Sequence, residues 1–224
     1  MLGGRAKLPV LAEISGPGPD GDARVWSLRR TELQALVPLQ ADLGEHRVAL
    51  VVGDEALVGA VGLAGAAAAA GRRVALVECD LARPRLAADL GLAAIPGLHE
   101  YLRWETTAPE LLQPLALAGP AAGGSAQPLI CVVAGRPASK AEALVELESF
   151  RHAVAKLRGA YDLVVLIGPP PGGSAGALEG VARRADTVLV AASPAALAGQ
   201  PGRLLRGQLR GLPVKPKGAI AVAG

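Results

Sequence analysis

Six short apolar runs punctuate the chain, at 48–52, 74–77, 129–133, 163–167, 187–191 and 219–222. Each is continuously apolar rather than alternating, the pattern required of parallel strands covered on both faces. Between most of them lie helix-like segments, at 56–70, 85–90, 98–104, 140–157, 177–184 and 197–207. Strand alternating with helix predicts βαβ units with right-handed crossovers. The expected fold class is therefore α/β, a three-layer α/β/α domain around a mostly parallel sheet. Ligands of such sheets bind at the carboxyl ends of the strands. Here those ends are Gly53, residues 78–80, 134–136 and 168–173.

Ahead of the first run, residues 1–23 are rich in Gly and Pro around one apolar patch, "LPVLAEI". They read as an extended arm with one edge-strand-like piece, and residues 24–224 as a single domain. Residues 24–43 carry Trp26, Leu33, Leu36 and Val37 at helical spacing, and Pro38 is expected to kink or end that helix.

Composition narrows the choices. The chain has 224 residues, enough for one sizeable α/β domain, and with 2% aromatics its core must be built from Ala, Val and Leu. The net charge is only +3, and no Lys/Arg run is interleaved with aromatics, which argues against nucleic acid as a partner. Cys79 and Cys131 lie inside apolar runs and read as small core residues. His46, His99 and His152 show no metal-ligand spacing, so no metal site is expected. The longest apolar run, near residues 64–70, is too short to span a bilayer, and no signal-peptide pattern opens the chain. The expectation is a soluble, cytoplasmic chain.

The glycine turn in "RVALVVGDEALVGAVGLAGAAAAAGRRVALVECD" raises the possibility of a nucleotide site. A working P-loop needs G-x-x-x-x-G-K-[ST], in which backbone amides wrap the phosphates, lysine reaches the β/γ oxygens and the hydroxyl holds magnesium. No Gly-Lys dipeptide occurs, and Asp54 and Glu55 place negative charge where phosphate would arrive. A dinucleotide fingerprint would need glycine at Glu55 and Val58 as well as at Gly53. Only Glu78, at the end of the second run where a ribose-binding acid would sit, keeps that reading alive. Gly59, Gly62 and Gly65 are read as positions of close helix–sheet packing. "GGSAG" at 172–176 matches a nucleophile elbow, but all three histidines precede Ser174, the wrong chain order for that triad. Ser174 is read instead as a helix cap.

Taken together, these segments resemble the cytoplasmic domain of bacterial polysaccharide co-polymerases, the BY-type tyrosine autokinases of the MinD/ParA-like branch of P-loop ATPases. "LPVLAEI" looks like the piece that follows the second membrane helix in that family. "GRRVALVECDLARPRL" looks like its second Walker motif, and "PGLHEYL" like the element after it. "AGRPASKAEALVELESFRHAVAKLRGAYDLVVLIGPPP" resembles its Gly-x-x-Pro loop, helix and Tyr-Asp strand, and "GAIAVAG" its closing strand. In register the resemblance covers nearly the whole chain.

What the resemblance implies is a degenerate site. Counting back from Gly71, the family's P-loop lysine falls on Ala56 and its hydroxyl residue on Leu57, after a loop about four residues short. Glu78 stands for the first acid of the second motif, Asp80 is retained, and the metal-associated aspartate falls on Ile167. No tyrosine cluster follows Gly224. Phosphoryl transfer is mostly positioning and charge neutralisation, and removing one such donor costs about 3–4 kcal/mol of barrier. The resemblance thus implies a pseudokinase, with no catalytic residues and no cofactor, its vestigial site at Gly53, Asp54, Glu55, Ala56, Leu57, Glu78, Asp80 and Ile167. It would serve polysaccharide chain-length control or export by docking: on its own copies as a homo-oligomer, or on a membrane or export partner at the inner face of the membrane. Arg29, Arg30, Glu32, Arg83 and Arg85 are the candidate interaction residues. The start at "LGGRAKLPVLAEI" raises the expectation of a membrane segment upstream, which would supply the only membrane contact. Two alternatives stay open: a regulator that binds ATP and Mg without hydrolysing it, and a dinucleotide-dependent oxidoreductase using Glu78.

Overall fold

The computed structural model describes residues 8–15, 30–115 and 128–224, with only the backbone of residues 30–33. In chain order the elements are β1 (Val10–Ser15), α1 (Arg30–Asp42), β2 (Val48–Val52), α2 (Ala56–Ala69), β3 (Val74–Glu78) and α3 (Leu86–Leu90). Next come α4 (Leu98–Leu102), α5 (Ala108–Leu111), β4 (Gln113–Leu115), β5 (Leu129–Val132), α6 (Ala141–Val145) and α7 (Glu148–Ala160). The last are β6 (Leu163–Ile167), α8 (Ala175–Ala182), β7 (Thr187–Ala192), α9 (Pro194–Leu197), α10 (Gly199–Leu209) and β8 (Pro216–Ala223). The strands form one sheet in the order β1-β8-β7-β2-β6-β3-β5-β4, parallel except for β4.

All six apolar runs are strands, and "LPVLAEI" supplies β1 at one edge, beside β8. Alternate residues of the central strands feed opposite faces. Ala49 and Val51 join the core under α1, α2 and α3, whereas Val48, Leu50 and Val52 join the core under α4, α6, α7, α8 and α10. This is the expected three-layer architecture. The amino ends of the strands are clipped together by two aspartates. Asp162 accepts from the Arg73 amide at 2.9 Å and pairs with its guanidinium at 2.8 Å. Asp186 accepts from the amides of Arg47 and Val48 and pairs with Arg158 at 2.7 Å.

Helix α2 is buried almost all round, because it lies between the sheet and α1 and is built of small residues. A methyl group on Gly59 would overlap Ala191 Cβ, so this glycine does let the helix close on the sheet. A methyl group on Gly62 would meet Leu36 Cδ1 of α1 at 2.9 Å and Ile14 Cδ1 of β1 at 3.4 Å, so this glycine serves a helix–helix contact beside the expected helix–sheet one.

Three further details depart from the sequence reading. Helix α1 runs on through Pro38 to Asp42, held by buried Leu36, Leu39 and Leu43, while Val37 is exposed. The loss of one amide donor at a proline is outweighed by that packing. Trp26 and Arg29 lie outside the described residues. The single helix expected at 140–157 is two, because Leu147 takes an extended conformation that lets Val145 and Phe150 both reach the same core. Short β4 and α5 have no periodicity to betray them, and β4, which carries Pro114, is the other edge of the sheet. Cys79 and Cys131 are free and buried, as expected of core residues.

Candidate functional site

Strands β2, β6 and β3 end side by side, with Val51 paired to Ile167 and Ile167 to Glu78. Beyond their carboxyl ends lies a cleft of about 230 Å³. The turn after β2 contributes Gly53, Asp54, Ala56 and Leu57; the turn after β3 contributes Glu78, Asp80, Arg83 and Arg85; β6 and its following loop contribute Ile167, Gly168 and Pro170. The structure therefore brings almost all of the anticipated site residues to one place. Arg29 lies outside the described residues, and Arg30 and Glu32 are placed only by the backbone of α1. Residues 134–136, also at a strand end, do not line the cleft. They are drawn to α4 by Glu100, whose buried carboxylate accepts from the Gly97 amide at 2.8 Å and pairs with Arg136 at 2.8 Å. Nothing in the spacing of Glu100 and Arg136 marked them as partners.

Only Gly53, Asp54 and Glu55 separate β2 from α2. The turn is held against β7: the Glu55 amide donates to the Ala191 carbonyl at 3.1 Å. Gly53 has φ +128°, and a side chain there would collide with the same carbonyl oxygen. Directly after the turn, Ala56 and Leu57 are buried, packed into the core with the rest of α2. Their side chains are core atoms lining the floor of the cleft.

Opposite, Glu78 is buried and fully engaged. One carboxylate oxygen accepts from the amides of Arg85 at 2.5 Å and Leu86 at 2.9 Å, and the other from the amide of Ala134 at 3.0 Å. The acid thus caps α3 and joins β3 to the end of β5. With three backbone donors already on it, it keeps little accepting capacity for a ribose hydroxyl. Asp80 accepts from the Arg83 amide at 3.3 Å and faces the Arg83 guanidinium at 3.7 Å. Arg85 is turned to Asp89 at 3.1 Å. Both arginine side chains are about two-thirds exposed.

The electrostatics follow from this crowding. Burial pushes the Glu55 carboxyl above its ordinary range, and neighbouring Asp54 adds to this against the pull of Arg85. Burial also raises Glu78, outweighing its three amide donors, and raises Asp80 despite Arg83. The same desolvation would act on the charge of a phosphate placed among them. Asp54 and Glu55 also occupy the amino end of α2, the place where a helix dipole would otherwise favour a bound anion. No cluster of three or more potential ligands for a metal occurs among the described residues. Ser174, as expected, is a cap: its hydroxyl accepts from the Ala177 amide at 3.3 Å, and it donates to Glu142 at 3.2 Å.

No family model and no curated protein matches the chain. Solved structures do. The BceF tyrosine kinase domain is similar over 96% of this chain and 93% of its own, at 18% identity and a TM-score of 0.76. The kinase domain of the Escherichia coli tyrosine kinase ETK is similar over 97% and 90%, at 19% identity and a TM-score of 0.77. The chain has the fold of these tyrosine-kinase domains. A more distant likeness, to the ATP complex of a Cyanothece McdA variant, covers 79% of this chain and 68% of that one, at 14% identity and a TM-score of 0.51. No helix among the described residues is long and apolar enough to cross a membrane.

Proposed function

We propose that this tyrosine-kinase-fold domain is a pseudokinase: it transfers no phosphoryl group and acts as a docking module in polysaccharide chain-length control or export. Its partners would be further copies of itself or a component of the export system at the inner face of the membrane. One observation carries the reading. The turn from β2 to α2 has three residues, two of them acids, and leads straight into Ala56 and Leu57, which belong to the core. Such a turn has neither the length to wrap phosphates nor a cation or hydroxyl to hold them. The carboxylates of Glu78 and Asp80, the other polar groups at the strand ends, face backbone amides and Arg83.

Titration calorimetry with Mg-ATP tests this. The expected result is no binding tighter than millimolar, and micromolar affinity would overturn it. Sedimentation of the same sample over a concentration series then reports whether the chain docks on itself.

A second reading, a nucleotide-binding regulator without hydrolysis, draws on Arg83 and Arg85, whose exposed side chains stand at the rim of the cleft. A thermal-shift panel of nucleotides separates the two. At a hundredfold excess over Kd a bound nucleotide stabilises by about 2.7 kcal/mol, whereas the pseudokinase reading expects no shift.

A further inference from the structure

At the opposite end of the sheet from the cleft, the amino ends of β1 and β8 meet the last turns of α10 over a hollow of about 300 Å³. Its floor is apolar, formed by Leu8, Leu209 and Pro216. Among the described residues its other lining side chains are Arg203, Arg206, Arg210 and Lys215, with no carboxylate. The three arginines recur at i, i+3 and i+7 of one helix, so they share a face of α10. All four cations are exposed or half-exposed. None of the four forms an ion pair among the described residues, whereas neighbouring Lys217 is paired with Asp42 at 2.7 Å. The sequence places two more cations, Arg5 and Lys7, within three residues of Leu8.

Four like charges held around one hollow repel one another, and an anionic partner removes that repulsion. We propose that this face docks on an anionic lipid membrane, the cations gathering phosphate headgroups around the apolar floor. The charge pattern selects the partner. The cations stand in solvent around the rim, where a single small anion gains little but a sheet of charges meets all of them at once. The apolar floor suits the boundary between headgroup and acyl chain. Among the described residues the lining has no aromatic side chain on which a nucleic-acid base would stack. The surface is separate from the strand-end cleft and does not depend on what that cleft binds.

Co-sedimentation of the purified chain with vesicles tests the proposal. Vesicles with one-third phosphatidylglycerol should bind the chain, and pure phosphatidylcholine vesicles should not. Binding should weaken steeply as salt shortens the screening length. Each cation removed should weaken binding about fivefold, so Arg206→Glu with Arg210→Glu should lower it by well over tenfold. Lys156→Glu, at an exposed position of α7, should leave it nearly unchanged. Equal binding to both vesicle types, no binding to either, or an undiminished double variant would overturn the proposal. So would displacement from vesicles by millimolar inorganic pyrophosphate, which would mark a small-anion site, or tighter binding to a short duplex DNA than to the vesicles. Thermal melting of each variant confirms that the altered protein is folded.

Discussion

The carboxylate of Glu78 accepts a hydrogen bond from the amide of Ala134 at 3.0 Å, joining residues 56 positions apart. With the amides of Arg85 and Leu86 on its other oxygen, this side chain is a structural clip at the edge of the cleft. Glu78→Ala should therefore destabilise the fold. It leaves three amides without a partner, each worth about 1–3 kcal/mol if it stays dry, so the loss should reach about 3 kcal/mol or more in urea unfolding. Glu78→Gln, which keeps one acceptor oxygen, should lose less. A change within about 0.5 kcal/mol for the alanine variant, the range of ordinary surface substitutions, would refute the clip.

Placing P-loop-type side chains after the β2 turn should not create a nucleotide site. Ala56→Lys with Leu57→Thr places an ammonium and a hydroxyl at buried positions behind a three-residue turn. The expected outcome is a loss of about 1–3 kcal/mol in stability, with no Mg-ATP heat in calorimetry. Micromolar ATP binding by this variant would show that the side chains alone, and not the turn, limit nucleotide binding.

The turn itself is defended by Gly53. At φ +128°, with the Ala191 carbonyl oxygen where an added methyl group would stand, alanine is excluded both by backbone strain and by contact. Strain of this kind costs about 1–3 kcal/mol before the clash is counted. Gly53→Ala should lower the unfolding midpoint clearly more than Gly71→Ala, where φ is also positive but nothing lies within 4 Å.

Acid should loosen the amino ends of the strands. Hydrogen bonds from the Arg73 guanidinium and amide hold the Asp162 carboxyl down at about 2. A carboxyl depressed in the fold stabilises above its unfolded pKa, and that contribution is lost as pH falls through the folded one. The stability gap between the native chain and Asp162→Asn should thus be full above about pH 4 and close as pH approaches about 2. The pair is substantially exposed, so the gap should be about 1 kcal/mol or less. Denaturant unfolding across that pH range measures it.

Both thiols should be silent in the native state. Burial pushes Cys131 up to about 12 and Cys79 higher still, so neither presents thiolate at neutral pH. Iodoacetamide should label neither residue in buffer and both in guanidinium, with labelling tracking the unfolding transition. Rapid labelling without denaturant would contradict their place in the core.

Much of the fold was legible because it depends on local apolar runs. The strands 48–52 and 163–167 coincide with β2 and β6, since five successive buried positions leave no other reading. The helix break at Leu147 was not legible. It depends on Val145 and Phe150 reaching one core together, which no local pattern encodes. The basic face of α10 was similarly hidden, because Arg203, Arg206 and Arg210 read as scattered charges until β1 and β8 bring Leu8 and Pro216 between them.

For the cleft, the sequence by itself determined which side chains follow the glycine turn: no lysine is among them, and acids stand in the turn itself. It also determined the parallel sheet whose strand ends would hold a ligand. Only the tertiary structure decided what the remaining groups do. Glu78 is bound by amides from two distant segments, and the Gly53 turn is held by a carbonyl of β7. The physical reason is that composition and order state which donors and acceptors exist, whereas their partners depend on segments brought together by folding.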